Sequence, residues 1–219
     1  NWMHKRMIWV SQMLGEKRKK IPADHREAQI ALYKAQCNCA YWHGVFGGLY
    51  LPHLREGIWT NIIQAERLAL DNLRLSKLVI EDIDCDGKPE LRLSNGDLLI
   101  WVSPARGGSI EEISLLDACV NIVNTLSRRV EGYHRKLIDS AVHTTAESDD
   151  HASIHDRVVA TEDGLEQLLQ YDKHVRRVVH DHFLLRECTL DDFASGDYTE
   201  LGDFVTGNYE VIEEYCDKN

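Results

Sequence analysis

The sequence predicts an α+β protein, with a helical part over residues 1–76 followed by a mainly antiparallel β part over residues 77–219. Apolar residues recur at helical spacing in the first part, whereas in the second short apolar runs alternate with polar residues and end at turn residues. The pair Asn95-Gly96 lies between two of those runs and is typical of a tight β-hairpin. We therefore expect a three-helix bundle followed by the N-terminal part of an incomplete β-sandwich.

Three helices are predicted in the first part. The first covers residues 2–14 and is expected to end at Gly15 and the basic run 17–20. The second covers residues 23–36, after a proline at a position that a first helical turn tolerates. The third begins near Pro52 and continues past residue 70. Its apolar stripe, which needs the other helices for burial, consists of Leu54, Ile58, Ile62, Ala65, Ala69 and Leu73.

The second part is predicted to contain short strands separated by turns. The first four strands are expected over residues 78–83, 90–93, 97–102 and 109–115. Three later segments lack convincing helical periodicity and are also predicted as strands, over residues 153–160, 165–171 and 175–185. The intervening polar segment, residues 141–151, is predicted to be a loop.

Composition excludes several classes of function. The formal net charge is −11, with 36 acidic against 25 basic residues, which argues against a nucleic-acid partner because phosphates must be neutralised by Lys and Arg. No apolar run approaches the ~20 residues of a membrane span, so no membrane partner is expected. Six scattered cysteines without a paired framework predict reduced thiols and a cytoplasmic location. The chain does not begin with Met, and we expect it to start within a larger protein.

The most distinctive chemistry lies in residues 35–55. Tyr41 and Trp42 adjoin His43, and Asn38 precedes them with an amide that both donates and accepts hydrogen bonds. An aromatic face with amide and imidazole groups suits a sugar ring and its hydroxyls. The alternative is a packed core at a helix end, since aromatic clusters are usually buried. Other apolar residues of this segment are expected to pack the bundle, namely Phe46, Leu49, Tyr50 and Leu54.

Residues 35–55 resemble the last conserved region of family 57 glycoside hydrolases, whose members include 4-α-glucanotransferases and α-amylases. Further segments resemble the same family in order along the chain, namely residues 1–7, 82–87, 128–134, 153–156 and 181–184. The resemblance implies a galactose-mutarotase-like super-sandwich, of which this chain holds the first part. It also implies a retaining enzyme acting on α-1,4-glucan or maltooligosaccharide, with a Glu and an Asp as catalytic carboxylates in a barrel that precedes the helices.

Neither catalytic motif of the family is found in this chain, so no catalytic residue is predicted. The isolated chain is therefore expected to be inactive. Its missing barrel is an expected partner. The resemblance carries substrate contact to Asn38, Tyr41, Trp42 and His43. Members often have an acidic residue after the asparagine, whereas this chain has Cys39. A non-catalytic carbohydrate-binding or regulatory protein is the alternative, and hydrolysis, transfer and homo-oligomerisation are all left open.

No cofactor is required by this interpretation, but a structural calcium ion is predicted near the first strand. Asp82, Asp84 and Asp86 alternate as in a calcium loop, and Glu90 offers a further oxygen. A plain turn entering a strand is the alternative, because the twelfth position is not the bidentate glutamate of an EF-hand. The pair His180 and His182 suggests a metal more weakly, since no third ligand is identified.

Overall fold

The computed structural model describes residues 1–17, 26–44, 46–69, 78–142 and 164–212. The α-helices are α1 (Trp2–Lys17), α2 (Arg26–Ala35), α3 (Pro52–Ala69), α4 (Gly132–Val142) and α5 (Leu190–Ser195). The strands are β1 (Val79–Glu81), β2 (Glu90–Ser94), β3 (Leu98–Ser103), β4 (Ser109–Leu115) and β5 (Val120–Asn121). Short 3₁₀ turns cover Asn38–Tyr41, Gly48–Tyr50, Pro104–Arg106 and Leu165–Leu168. Helices followed by an antiparallel sheet confirm the α+β class.

Helices α1, α2 and α3 share one hydrophobic core, as their apolar periodicity predicted. Helix α1 runs through Gly15 to Lys17, slightly beyond its expected end, and α3 begins at Pro52 as expected. The predicted start of the second helix and the predicted end of the third lie outside the described residues. The core is formed by Met3, Val10, Leu14, Ala28, Ala31, Leu32, Ala35, Ala40, Ile58, Trp59, Ile62, Ala65 and Ala69.

The five strands form one antiparallel sheet in sequence order, β1-β2-β3-β4-β5. The predicted hairpin joins β2 and β3, where the backbone N–H of Asn95 donates to the Leu98 carbonyl at 3.2 Å. Gly96 has a φ of 97°, a left-handed conformation that glycine adopts at little cost. The Asn95 side chain closes the turn by accepting from the Leu98 N–H at 2.8 Å. Local turn chemistry therefore sets this register.

The two faces of the sheet have an unusual distribution of polarity. The inner face is buried although most of its side chains are polar, comprising Glu90, Arg92, Ser94, Leu99, Trp101, Ser103, Ser109, Glu112 and Ser114. The outer face is aliphatic and only partly buried or exposed, comprising Ile80, Leu91, Leu93, Leu98, Ile100, Val102, Ile110, Ile113, Leu115 and Val120. Simple alternation with apolar residues inward would have given the reverse arrangement.

A buried charge network, formed by Arg6, Glu66, Arg92 and Glu112, explains why the inner face is polar. The Arg6 Nε donates to Glu112 at 2.6 Å, and its Nη2 pairs with Glu66. Glu66 also accepts from the Arg92 Nη1 at 3.0 Å. Two cations and two anions balance, so helices α1 and α3 dock onto β2 and β4 through matched charges.

Tryptophan side chains enclose the buried charge network. The guanidinium carbon of Arg6 lies 5.2 Å from the ring centroids of both Trp9 and Trp101, a cation–π geometry. The Trp2 indole N–H donates to Glu112 at 3.0 Å. A second hydrophobic cluster next to these rings is formed by Ile63, Ile83, Leu99, Trp101, Leu116 and Cys119.

The chain divides into two compact units, the larger of which comprises residues 1–125, 177–183 and 200–219. The smaller unit contains α4, α5 and the Leu165–Leu168 turn. It is held by Asp172, which accepts from the Arg128 Nε at 2.8 Å and pairs with Arg176 at 2.8 Å. The predicted boundary between residues 76 and 77 lies outside the described residues.

Two strand predictions in the later part are wrong. Residues 165–168 form a 3₁₀ turn that follows Gly164 in a left-handed conformation. Residues 175–185 pair with a named strand through a single bridge, between Val178 and Ile110. The pairing does not continue because Val179 has a φ of 60°, which breaks the extended backbone. The predicted strand 153–160 lies outside the described residues. Across the described ranges, no helix has both the length and the apolar content needed to cross a membrane.

Candidate functional site

The aromatic-histidine segment connects α2 to α3 through two 3₁₀ turns. Ala40 is buried in the helical core and anchors the first turn, Asn38–Tyr41. Trp42 then leaves the turn with extended backbone angles, φ −141° and ψ 166°. The chain direction therefore changes between a buried anchor and Trp42 and His43, two of the four residues predicted to contact a ligand.

Trp42 and His43 are both exposed, and 51% of the Trp42 surface is accessible. The His43 ring lies edge-on to Tyr50, with ring centroids 5.5 Å apart. Asn38 is exposed as well. This exposure disagrees with a packed core for these three residues and is compatible with the predicted contact between their side chains and a ligand.

Tyr41 differs from its neighbours because it is half-buried. Its hydroxyl donates to the Ala35 carbonyl at 2.6 Å, and its ring lies 5.3 Å from the ring of His4. Burial, helped by the neighbouring Cys37, raises the pKa of Tyr41 above its usual range. The hydroxyl is therefore a neutral donor committed to the backbone, which suits a supporting role beside Trp42.

Phe46, predicted to pack the helices, is instead 88% exposed, whereas Leu49 is buried as expected. The Phe46 prediction was wrong because an aromatic side chain was expected to be buried, whereas the nearby glycines allow this loop to turn outward. The only local signal for this was the spacing of Gly44 and Gly47 on either side of it.

Two groups of neighbouring carboxylates in the described residues are paired with arginine. Glu66 and Glu112 share Arg6 within the buried charge network. Asp84 and Asp86 share the Arg106 Nη2, at 2.5 and 2.7 Å. Retaining glycoside hydrolysis needs a free nucleophile and an acid–base carboxyl about 5–5.5 Å apart. Neither of these two groups offers such a pair.

The predicted calcium loop is well formed, and Arg106 lies against it. Ligand oxygens of Asp82, Asp84 and Asp86 lie within 4.8 Å of one another. Asp82 accepts from the backbone N–H groups of Asp86 and Gly87, at 3.1 and 2.9 Å. The Asp84 carboxylate has a second oxygen, Oδ1, which is buried and accepts no hydrogen bond from the described residues. Calcium would therefore compete with the Arg106 guanidinium, and calcium binding here stays a prediction.

Glu90, the fourth predicted ligand, lies on the buried inner face of the sheet. Its carboxylate accepts from the Ile83 N–H at 3.1 Å and from the Ser103 hydroxyl at 3.5 Å. Burial raises the pKa of Glu90 to about 7, and the nearby Asp84 contributes in the same direction. The group of converging aspartate oxygens does not include Glu90. Its surroundings therefore favour a protonated carboxyl that supports the loop from beneath.

The second metal suggestion also has a simpler local explanation. His182 pairs through Nδ1 with Glu200 at 2.7 Å, and its ring centroid lies 6.0 Å from that of His180. The described residues contain no metal-ligand group of three or more around these histidines. A histidine–carboxylate pair accounts for the arrangement of His182.

Two family models match the chain. Residues 1–69 match the model described as "Alpha-amylase/4-alpha-glucanotransferase, middle domain", and residues 82–218 match "Alpha-amylase/4-alpha-glucanotransferase, C-terminal". Among curated proteins, the 4-alpha-glucanotransferase of Thermococcus kodakarensis is 40% identical over 97% of this chain and 31% of its own length. The alpha-amylase of Pyrococcus abyssi is 39% identical over 96% of this chain and 30% of its own length.

A solved structure agrees with these matches. The crystal structure of 4-alpha-glucanotransferase from Thermococcus litoralis is similar with a TM-score of 0.71 and 38% sequence identity, covering 96% of this chain and 27% of that one. The chain thus spans about 30% of the length of the curated relatives that it matches. Both domain models and the fold lead to the same conclusion: this chain belongs to the alpha-amylase/4-alpha-glucanotransferase family and corresponds to its middle and C-terminal domains.

Proposed function

We propose that this chain is the substrate-contacting and supporting portion of a retaining α-glucan-active enzyme of glycoside hydrolase family 57, a 4-α-glucanotransferase or an α-amylase. The observation that carries the proposal is the exposure of Trp42 and His43 on an anchored turn. A sugar ring packs on an indole face, while imidazole and amide groups bind its hydroxyls. Asn38 completes the contact set, and Tyr41 supports it from the half-buried side. The ligand is an α-1,4-glucan or a maltooligosaccharide.

The catalytic carboxylates are proposed to lie in a barrel outside these 219 residues. The support is that two groups of neighbouring carboxylates in the described residues, Glu66 with Glu112 and Asp84 with Asp86, are paired with Arg6 and Arg106. The relatives also contain more than twice as much sequence as the matched part. The helical residues 1–76 would then complete the barrel's substrate site, and residues 77–219 would support it. Free cysteines at every described cysteine position are compatible with a cytoplasmic location.

The finer fold proposal is a three-helix bundle joined to part of a β-sandwich. Its support is the outer face of the sheet, where Leu93 and Leu115 are 43% and 40% exposed. An aliphatic face of this kind is expected to be covered by a second layer.

In the isolated chain the same aliphatic face of the sheet would favour homo-oligomers. Leu93→Lys should then reduce self-association in analytical ultracentrifugation and leave the circular dichroism spectrum unchanged; unchanged self-association would contradict the proposal.

The glucan site is tested by calorimetric titration of maltooligosaccharides into this chain. The Trp42→Ala, His43→Ala double variant should lose binding while keeping the wild-type circular dichroism spectrum. Tyr209→Ala is a matched control, because it removes an aromatic ring that is 42% exposed outside the segment. Equal affinity in the double variant and the wild type would refute the assignment. If the wild type does not bind, the segment is not a sufficient subsite on its own.

A non-catalytic carbohydrate-binding or regulatory protein is the second candidate. It is favoured by the arginine pairing of two carboxylate groups, the one that contains Glu66 and the one that contains Asp84. The two candidates differ in the sequence that precedes residue 1 in the gene. An upstream barrel with a Glu and an Asp, and glucan cleavage or transfer by the longer protein, would support the enzyme.

A further inference from the structure

Backbone hydrogen bonds close the turn that carries Trp42 and His43. The Leu49 N–H donates to the Trp42 carbonyl at 3.1 Å, so the second 3₁₀ turn is fastened directly to the exposed tryptophan. Within that turn the Tyr50 N–H donates to the Gly47 carbonyl at 3.0 Å. The orientation of Trp42 therefore depends on where the peptide unit of Leu49 is placed.

Gly48 allows this close approach. Its φ is +51°, and a Cβ placed there would lie 2.3 Å from the Trp42 carbonyl oxygen and 3.0 Å from the Cys39 carbonyl oxygen. The first of these distances is far below any tolerated carbon–oxygen contact, and both neighbours are backbone atoms that cannot rotate away. A side chain at position 48 would thus displace Trp42 or open the turn.

Arg55 holds Leu49 from its other side, at the carbonyl of the next peptide unit. Its Nη1 donates to the Leu49 carbonyl at 2.5 Å, and its Nε donates to the Asn124 Oδ1 at 3.0 Å. The side chain is buried in the first turn of α3. Leu49 is therefore held through its N–H to Trp42 and through its carbonyl to Arg55, and Asn124 braces the guanidinium from the segment after β5.

From this geometry we propose that Arg55 and Gly48 are positioning residues for the glucan site, acting through Leu49 on Trp42 and His43. The proposal rests on the proposed function as far as glucan is concerned. Neither residue needs to touch the ligand. A charged donor on a buried carbonyl holds a turn more firmly than a neutral one, because charge-assisted hydrogen bonds are stronger. The site is thus pre-ordered before a ligand arrives, which lowers the entropy lost on binding.

The experiment compares Arg55→Met, Arg55→Lys and Gly48→Ala with Arg67→Met in the full chain. Arg67 lies on the same helix with its side chain 41% exposed, so this control makes the same substitution without touching the turn. The ligand-free readout is the indole N–H resonance of Trp42 in a ¹H–¹⁵N spectrum, assigned with Trp42→Phe. The second readout is calorimetric affinity for a maltooligosaccharide.

Arg55→Met and Gly48→Ala should shift the Trp42 resonance, leave that of Trp101 in place, and weaken glucan binding about tenfold. Arg55→Lys should restore part of the affinity, because an ammonium reaches one acceptor and not both. Arg67→Met should change neither readout. If folded Arg55→Met has the wild-type Trp42 resonance and affinity, the proposal is wrong.

Failure of the glucan assignment has a different result. If the wild type does not bind glucan but the Trp42 resonance still moves, the proposed function fails on this chain while the positioning role stands. If Arg55→Met does not fold, Asn124→Ala decides the matter, since it removes one brace and keeps the arginine. An unmoved Trp42 resonance in that variant would overturn the role of the Arg55 brace.

Discussion

Replacing Arg6 by methionine tests the buried charge network most directly. Methionine keeps an unbranched apolar stem but is shorter than arginine and removes its charge and its donors. The substitution ends the 2.6 Å contact from Nε to Glu112 and the pair between Nη2 and Glu66. Glu66 keeps Arg92, whereas Glu112 keeps only the neutral donors Trp2 and Ser114.

The expected cost follows from the charge that is left behind. The carboxylates of Glu66 and Glu112 are both fully buried. After the substitution, the buried charge network holds these two anions and one cation, Arg92. Removing one partner of a buried ion pair typically costs about 3–5 kcal/mol, because the remaining charge has no compensating partner. Loss of the two cation–π contacts adds to this. We expect the free energy of unfolding to fall by ~4 kcal/mol, a large part of a typical domain's stability.

Urea unfolding, followed by tryptophan fluorescence and by circular dichroism, measures this change. The matched control is Arg67→Met, whose pair with Asp117 is solvent-exposed on both sides and is expected to contribute less than ~1 kcal/mol. A second variant, Arg6→Met with Glu112→Gln, removes the stranded charge and should recover part of the loss. A cost for Arg6→Met no larger than that of the control, or no recovery in the double variant, would refute the reasoning.

Two further predictions concern the loop before β2 and the residue beneath it. The pKa of Glu90 is raised by burial from 4.5 to about 7, so folding is favoured by its protonated form and this contribution is lost as pH rises through 7. Glu90→Gln should match the wild type near pH 4 and exceed it by up to ~3 kcal/mol in urea unfolding near pH 8, whereas equal pH profiles would contradict the raised pKa. Calcium at Asp82, Asp84 and Asp86 predicts an increase of about 2–3 kcal/mol in unfolding free energy at saturating calcium, reversed by a chelator and abolished by Asp82→Asn. Arg106→Gln should strengthen calcium binding, because it removes the competing cation; isothermal titration without heat in either protein would rule the site out.

The elements that the sequence predicted are those set by short-range patterns. Helices α1 and α3 follow from apolar spacing, and the hairpin at Asn95-Gly96 follows from turn chemistry that involves only adjacent residues. Helix α5 was missed although its start carries a local signal. Thr189 and Asp192 form a capping box, each side chain accepting from the backbone N–H of the other.

The buried charge network could not be predicted from the sequence, because its members are far apart along the chain. Arg6 is separated from Glu66 by 60 residues and from Glu112 by 106. Each of them, taken alone, resembles the ordinary charged residue of a solvated face. In the candidate site the resemblance predicted Trp42 and His43, whereas the proposed roles of Gly48 and Arg55 depend on contacts across the turn that composition does not reveal.

The charged and aliphatic side chains lie on opposite faces of the sheet, so the buried charge network also determines which face points away from the helices. A sheet that used its aliphatic face against the helices would leave Glu90, Arg92 and Glu112 in water, where they need no partners. Here the charged face is buried and costs desolvation, so it is tolerated only while Arg6 and Glu66 supply opposite charges from α1 and α3. The aliphatic face thereby points away from the helices, and it is the face on which we propose that a further layer packs. Docking of the helices by charge and docking of a further layer by apolar contact are therefore separable, and substitutions of Arg6 and of Leu93 should act independently on stability and on self-association.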